Sequence, residues 1–260
     1  MRTRNPANLD RIVTAATVEF IERGFRGTKI YRVAERARVG PGTIYLYVED
    51  KEALFELVLR RALEDPSVAH PSLPFMKSSE RQQLAGIAQG LTTISHFPQL
   101  WVASQRRQIS DAAREYEGIL RELFRWLHRY RDAILLVDGR RLDRPELRQL
   151  FDRIVWRDLT RRLTDYVSTR VRTGHFEPEG DPALLARFLL DSLLAFVVTG
   201  PVTQPSAQAN EEAENTVVRL LARAARPEKQ AAEGALSQGS GHGSVAGSSH
   251  GFPLPAEPGY

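Results

Sequence analysis

The 260-residue chain contains no cysteine. That absence excludes disulfide frameworks, thiolate nucleophiles and cysteine-ligated zinc or iron–sulfur centres. Lysine is scarce as well: Lys29, Lys51, Lys77 and Lys229 are the only lysines among 36 basic residues. Arginine is thus the default cation, and no single arginine is marked as functional by not being lysine. Long hydrophobic runs are also missing. The most apolar stretch, 183–198, is interrupted by Arg187 and Asp191, each costing roughly 2.5–3.5 kcal/mol at a bilayer centre. On a helix these two stand at i and i+4, where they pair with each other, so the segment reads as a packing helix and not a membrane span. The first residues, Met1-Arg2-Thr3-Arg4-Asn5, lead into polar sequence, without the apolar stretch of about 7–15 residues that a secretory signal needs. The expectation is a cytoplasmic protein with no membrane partner.

Hydrophobic residues at 42% and charged residues at 26% place the chain among ordinary globular proteins. The net charge of +4 is unevenly spread. Residues 1–52 carry ten Lys/Arg against seven Asp/Glu, and residues 53–260 carry 26 against 25. Most of the excess lies in the first fifth of the chain. That is a weak pointer to a polyanionic partner, because solvated basic faces are common.

From about Pro227 the composition turns to Gly, Ser, Ala and Pro. Such sequence buries too little apolar surface to offset its ordering entropy, so 227–260 is expected to be a disordered tail. The run Gly241-His242-Gly243-Ser244-Val245-Ala246 matches a loose dinucleotide pattern, but no strand precedes it and no apolar helix follows, so the match reads as chance. His242 and His250 read as spacer residues. The rest, about 6–226, is one helical pattern after another. Leu9, Ile12, Val13, Ala16 and Phe20 share a face, and Gly24 stops that helix. Tyr116, Leu120, Leu123, Leu127, Tyr130, Ile134 and Val137 predict one long helix ending near Gly139. Pro145 opens another with Leu147, Phe151, Ile154, Leu159, Leu163 and Val167 inward, closing before Gly174. Asp181-Pro182 caps and starts a helix that Gly200-Pro201 ends, and a last helix runs from about Gln208 to Ala225. No run alternates with period two between hairpin turns. The fold class is all-α.

Within residues 28–54, Thr28 caps a short helix with Ile30, Val33, Ala34 and Ala37 on one face. Arg38-Val39-Gly40 breaks it, and Pro41 restarts a second short helix carrying Ile44, Tyr45 and Val48. Two brief helices joined by a tight turn form a helix-turn-helix, here about 29–48, whose second helix fits a DNA major groove. Gly42 and Thr43 allow close backbone approach, Thr43 offers a hydroxyl and a methyl to base edges, and Tyr45, Tyr47 and Lys51 suit phosphate. Arg2 and Arg4 on an arm reach toward flanking phosphate or the minor groove. On spacing alone, an ordinary helical hairpin with a solvated basic face fits equally well.

Thr28, Val33, Ala34, Ala37, Val39, Gly42, Thr43, Tyr45, Tyr47, Val48, Lys51 and Leu54 fall in register with the DNA-binding segment of TetR-family transcriptional regulators, and Phe20, Gly24 and Phe25 extend the match. The chain resembles that family over about Asn8 to Leu59. The resemblance implies an N-terminal three-helix DNA-binding domain (6–66) with its recognition helix at Pro41–Tyr47. It implies phosphate contacts from Thr28, Tyr47 and Lys51, with Tyr47 facing DNA more than Tyr45. The DNA-facing set is Thr28, Lys29, Arg38, Pro41, Gly42, Thr43, Tyr45, Tyr47 and Lys51. Two residues depart from the family pattern. Arg38 replaces the usual turn glycine, and Val48 replaces the usual Phe, with less apolar volume beneath the recognition helix.

Beyond Leu59 the resemblance is general. It implies a helical effector-binding and dimerisation domain at 67–226, a palindromic double-stranded DNA operator, a small-molecule effector and a homodimer. The last two helices would supply the dimer contact through Leu185, Phe188, Leu189, Ser192, Phe196, Val217 and Leu221. Trp101, Phe124, Trp126, Tyr130 and Trp156 are candidates for an effector pocket, although aromatics at helical spacing are more often plain core. Arginines such as Arg106, Arg107, Arg161 and Arg162 read as solvated, and nothing in the sequence supports an anionic effector. His96, His128 and His175 lack metal-ligand spacing, so no metal and no cofactor is expected. No P-loop or H-E-x-x-H motif is present, which argues against an enzyme. The reading is a repressor released from its operator by an effector. A ligand-independent DNA-binding protein, an activator, or an enzyme-like helical domain fused to a DNA-binding domain are the alternatives.

Overall fold

The computed structural model describes residues 5–106, 109, 111–138, 144–177, 180–199 and 207–224. The expected arm residues Arg2 and Arg4, the helix stops at Gly139 and Gly200-Pro201, and the tail at 227–260 lie outside the described residues. Among the described residues every regular element is helical, and a lone bridge between Val48 and Phe75 is the nearest thing to a strand pair.

Helix α1 (Pro6–Gly27) begins where the Asn5 side chain accepts from the Ala7 N–H, and Pro6 supplies a first residue that needs no amide partner. It kinks at Gly24, whose φ of 71° suits glycine, so the predicted stop is a bend followed by one further turn. Helices α2 (Ile30–Ala37) and α3 (Pro41–Ile44) follow, then α4 (Lys51–Ala62), which Asp50 caps by accepting from the Ala53 N–H. Phe20 and Phe25 each meet Phe55 edge-on, at 5.1 and 5.4 Å between ring centroids, and this trio fills the angle between α1 and α4.

The turn between α2 and α3 explains the Arg38 departure. Arg38 adopts left-handed geometry (φ 55°, ψ 46°). Its N–H donates to the Glu35 carbonyl and that of Val39 to the Ala34 carbonyl, at 3.0 and 2.9 Å, which is a Schellman closure. Arginine holds a conformation that glycine adopts without strain. Val48 is fully buried, and the passing segment around Phe75 compensates for its small size. The Phe75 N–H donates to the Tyr47 carbonyl, the Glu49 N–H donates to the Phe75 carbonyl, and the Phe75 ring packs on the core.

The remainder comprises α5 (Glu80–Ile94), α6 (Pro98–Gln105), α7 (Ala112–Arg129), α8 (Arg131–Asp138), α9 (Pro145–Phe151), α10 (Arg157–Arg172), α11 (Pro182–Thr199) and α12 (Ala207–Arg223). α7 packs against α11 and α12, α10 against α6 and α11, and α8 against α1 and α4. Two expectations need correction. The single helix through Tyr116 and Val137 is two helices that break at Tyr130, where φ is −100° and ψ 19°. The break falls where Arg129 and Tyr130 turn toward Glu64, just past the end of α4. The helix from Pro145 contains a π turn at Asp152–Trp156. Buried Leu147, Phe151, Val155, Leu159 and Leu163 recur at steps of four, longer than the 3.6-residue repeat of an α-helix. The wider turn absorbs the surplus, so Val155 is buried where Ile154 was expected and Ile154 is only partly so.

Candidate nucleic-acid interface

Most long helices here start with a side-chain cap: Asn5, Asp50, Ser79, Asp111 and Asp181 each accept from an amide of the first turn. α2 and α3 start without one, behind Lys29 and Gly40. An uncapped helix start leaves N–H groups with positive partial charge, which suits phosphate oxygens. Lys29, Arg32 and Arg38 stand exposed around these starts, and none has an ion pair among the described residues. Arg36, one turn along α2 from Arg32, is instead engaged by Glu19 and Glu22.

The predicted DNA-facing residues divide into two groups. Lys29, Arg38, Pro41, Gly42 and Tyr45 lie on the exposed surface, with Thr43 half-buried beside them. Gly42 has open space where a Cβ would be, so no packing within the chain requires a glycine there.

The other group lies inward. Thr28 is fully buried, and its hydroxyl donates to the carbonyls of Glu19 (2.9 Å) and Gly24 (2.7 Å), closing the end of α1. The Lys51 ammonium donates to the carbonyls of Phe25 (3.0 Å) and Thr28 (3.3 Å) and sits 4.6 Å from the centre of the Phe25 ring. Both side chains brace the support of α2, which is a correction to their expected role on phosphate. The tyrosine order is also corrected. Tyr45 is 53% exposed, whereas Tyr47 is 1% exposed. The Tyr47 hydroxyl donates to the Asn5 carbonyl at 3.1 Å and accepts from the Asn5 N–H at 2.8 Å. Tyr45 points out because Ile44 and Val48 take the inward positions on either side of it. Sequence reading missed Tyr31, which is 55% exposed with the Arg32 guanidinium 5.6 Å from its ring centre. An aromatic on the polar face of α2, beside arginine, was the available signal.

Of the aromatics proposed for an effector pocket, Trp126 and Tyr130 meet at 5.6 Å between ring centroids, and none of the five lines the cleft described below. Trp126 is core, its indole N–H donating to the Ile94 carbonyl at 2.6 Å. Phe124 and Tyr130 are buried, Trp156 packs on Phe151, and Trp101 is 54% exposed. They were candidates for one cavity, with plain core the commoner reading; helical periodicity gives a buried face but not the void it borders. A cleft of about 750 Å³ opens elsewhere, lined by Pro98, Gln99, Val102, Ala103, Arg106, Ile109, Asp111, Arg114 and Glu115. Behind it Arg170, with no exposed surface, donates to one Glu115 carboxylate oxygen at 2.8 and 2.9 Å and to the carbonyls of Ala103 and Arg106.

The predicted dimer residues divide as well. Phe188 and Phe196 are exposed, Leu185 and Ser192 half-buried, and Leu189, Val217 and Leu221 buried within their own chain. Leu189, Val217 and Leu221 are therefore corrected to core; α7 and α10 lie against that side of the two helices. Leu184 on α11 and Leu220 on α12 are exposed and had not been placed in the set. Arg187 and Asp191 pair at 2.9 Å on the exposed side, as their spacing predicts. Among the described residues no helix is long and apolar enough to cross a membrane, and no group of three His, Asp or Glu residues is placed to hold a metal.

Two short helices, the second lying open on the surface with its start uncapped, define a helix-turn-helix of the kind DNA-binding regulators carry. Residues 12–58 match the family described as bacterial regulatory proteins, tetR family. The HTH-type transcriptional regulator YhgD of Bacillus subtilis is 35% identical over 79 residues, 28% of this chain and 41% of that protein. The HTH-type transcriptional repressor SCO4008 of Streptomyces coelicolor is 37% identical over 75 residues, 28% of this chain and 39% of that protein. The chain thus spans about two fifths of these relatives' length. The ketosteroid transcriptional regulator KstR2 of Mycobacterium tuberculosis shares the fold, with a TM-score of 0.52 at 15% identity, covering 87% of this chain and 98% of that one. Over residues 12–58 the chain thus carries the helix-turn-helix segment of the tetR family, and its described helices share that fold.

Proposed function

We propose that this protein is a homodimeric repressor that binds a palindromic operator through residues 6–66 and leaves it when a small molecule binds within 67–226. The observation that carries the DNA reading is the pair of uncapped helix starts at α2 and α3, flanked by exposed Lys29, Arg32 and Arg38. Tyr31, Pro41, Gly42, Thr43 and Tyr45 complete the DNA-facing set, Thr43 reading base edges and the cations holding phosphate. Repression is supported by the name of the Streptomyces relative over the same segment. The dimer contact is assigned to the apolar side chains left uncovered on α11 and α12: Leu184, Phe188, Phe196 and Leu220. Two copies joined there read half-sites about 34–36 Å apart, one helical turn of DNA. The protein acts in the cytoplasm and carries out no catalysis.

Communication between the two parts is assigned to Glu64. Its carboxylate accepts from Arg129 Nε at 2.9 and 3.1 Å, from Arg129 Nη2 at 2.6 Å and from the Tyr130 hydroxyl at 3.1 Å. An effector that differs in affinity between two arrangements of α7 biases this junction, with a coupling of about 1–3 kcal/mol typical of such systems. The test is selection of bound sequences from a random DNA pool, followed by a compound screen for release of the selected duplex. Selection of a palindrome and its release by a compound are expected. Enrichment of no sequence at low salt would end the reading.

A further inference from the structure

We propose that the cleft between α6 and the start of α7 binds an organic anion, a carboxylate on an apolar body. This names the effector class and rests on the reading of the chain as an effector-responsive regulator. The charge inventory of the cleft carries the proposal. Its two acids are already engaged: Asp111 caps α7 by accepting from the Arg114 N–H at 2.9 Å, and Glu115 accepts from Arg170 and from the Tyr166 hydroxyl. Its two exposed guanidinium groups, on Arg106 and Arg114, have no hydrogen bond or ion pair among the described residues. Further along α7 the pattern is opposite, with Arg121 and Arg125 held by Glu214 and Arg129 by Glu64.

Both cations rise from anchored backbone. Buried Arg170 grips the carbonyls of Ala103 and Arg106, and Asp111 fixes the first turn of α7. Little ordering remains to be done when a ligand arrives. A carboxylate accepts two parallel N–H bonds from a guanidinium, and the positive end of the α7 dipole favours the same sign of charge. Pro98, Val102, Ala103 and Ile109 supply apolar wall, and 750 Å³ lies within the range of about 300–1,000 Å³ typical of small-molecule sites. Two uncompensated cations argue against a metal ion or an amine as the occupant.

The test is calorimetric titration of the full chain with octanoate and with octanamide, its uncharged counterpart. Binding of octanoate in preference to octanamide is expected. Arg114→Ala should weaken octanoate about tenfold, the loss of one charge-assisted contact. Arg114→Lys should recover part of that loss, and Arg106→Ala with Arg114→Ala together should erase the preference over octanamide. Thermal unfolding should be unchanged in all three, since both side chains are exposed and unpaired. No octanoate binding, equal binding of the two probes, or equal octanoate affinity in the double variant each overturns the proposal. DNA binding measured on the same protein without octanoate tests the regulator reading alone, so the two failures are distinguishable.

Discussion

On α7, Glu214 holds the guanidinium groups of Arg121 and Arg125, and Glu64 holds that of Arg129. On α2 and the turn behind it, Arg32 and Arg38 meet no carboxylate among the described residues, and the helix starts nearby carry no side-chain cap. In the C-terminal helices much of the cationic charge is internal fastening. In the helix-turn-helix, charge and backbone donors are left uncompleted, a state that costs little in water and finds its complement in a polyanion. The same residue type therefore carries opposite information in the two regions, and only its partners distinguish them.

The largest effect that sharpens this contrast is expected at Arg170. Replacing it with Met leaves two backbone carbonyls without this donor and Glu115 with the Tyr166 hydroxyl but no cation, and removing one member of a buried pair costs about 3–5 kcal/mol. Chemical denaturation should show that loss. A change under about 1 kcal/mol would mean the buried guanidinium is not the fastening it looks. Gly42→Ala should do the reverse, weakening affinity for the selected duplex by on the order of tenfold (about 1.4 kcal/mol) while thermal unfolding stays put. Its Cβ meets nothing in the free chain, so an unaltered affinity by fluorescence anisotropy would remove Gly42 from the interface.

Arg38→Gly separates stability from binding at one position. Relief of the left-handed geometry should stabilise the fold by about 1 kcal/mol. Loss of one phosphate contact should lower the slope of log affinity against log salt by about 0.9. Stabilisation with an unchanged slope would make Arg38 a bystander. Glu64→Gln should have a smaller effect, because exposed pairs contribute roughly 0–1 kcal/mol. Hydrogen bonds from Arg129, then Tyr130, hold the Glu64 carboxyl below its ordinary value against the opposing effect of burial. A depressed carboxylate stabilises the fold above its unfolded value of 4.5 and loses that contribution as pH falls through the lower folded value. The difference in melting temperature between wild type and Glu64→Gln should therefore shrink from neutral pH to about pH 3. A difference independent of pH would assign it to packing. Deleting residues 228–260 should leave operator affinity and sedimentation unchanged.

The helix-turn-helix was legible in the sequence because local rules decide it: Pro41 opens a helix, Ala34 and Ala37 must face inward, and the in-register motif fixes which face remains outside. The inward turns of Thr28 and Tyr47 were not legible, since Thr28 depends on the kink at Gly24 that leaves the Glu19 and Gly24 carbonyls to accept from it, and Tyr47 on an acceptor far away in the chain, Asn5. In the C-terminal helices the apolar period gave buried faces such as Leu120, Leu123 and Leu127. It could not show that Leu189 and Val217 turn to their own chain while Phe188 turns away, because both sides of α11 are apolar. The cleft left no trace in any period, being built from one side of α6, Arg106, Ile109 and the first turn of α7.

Helix α7 has 18 residues, and at a rise of about 1.5 Å per residue it measures about 27 Å. Arg114 stands near its first turn, and Arg129 closes it beside the residue at which the chain breaks. A rod of packed helix does not shorten to absorb a tug, so displacement of its front must either drag the rear along or pull Arg129 off Glu64. On the proposed reading α7 is a lever whose two handles are chemically unrelated, so that the grip at one handle can be reshaped without altering what the other moves.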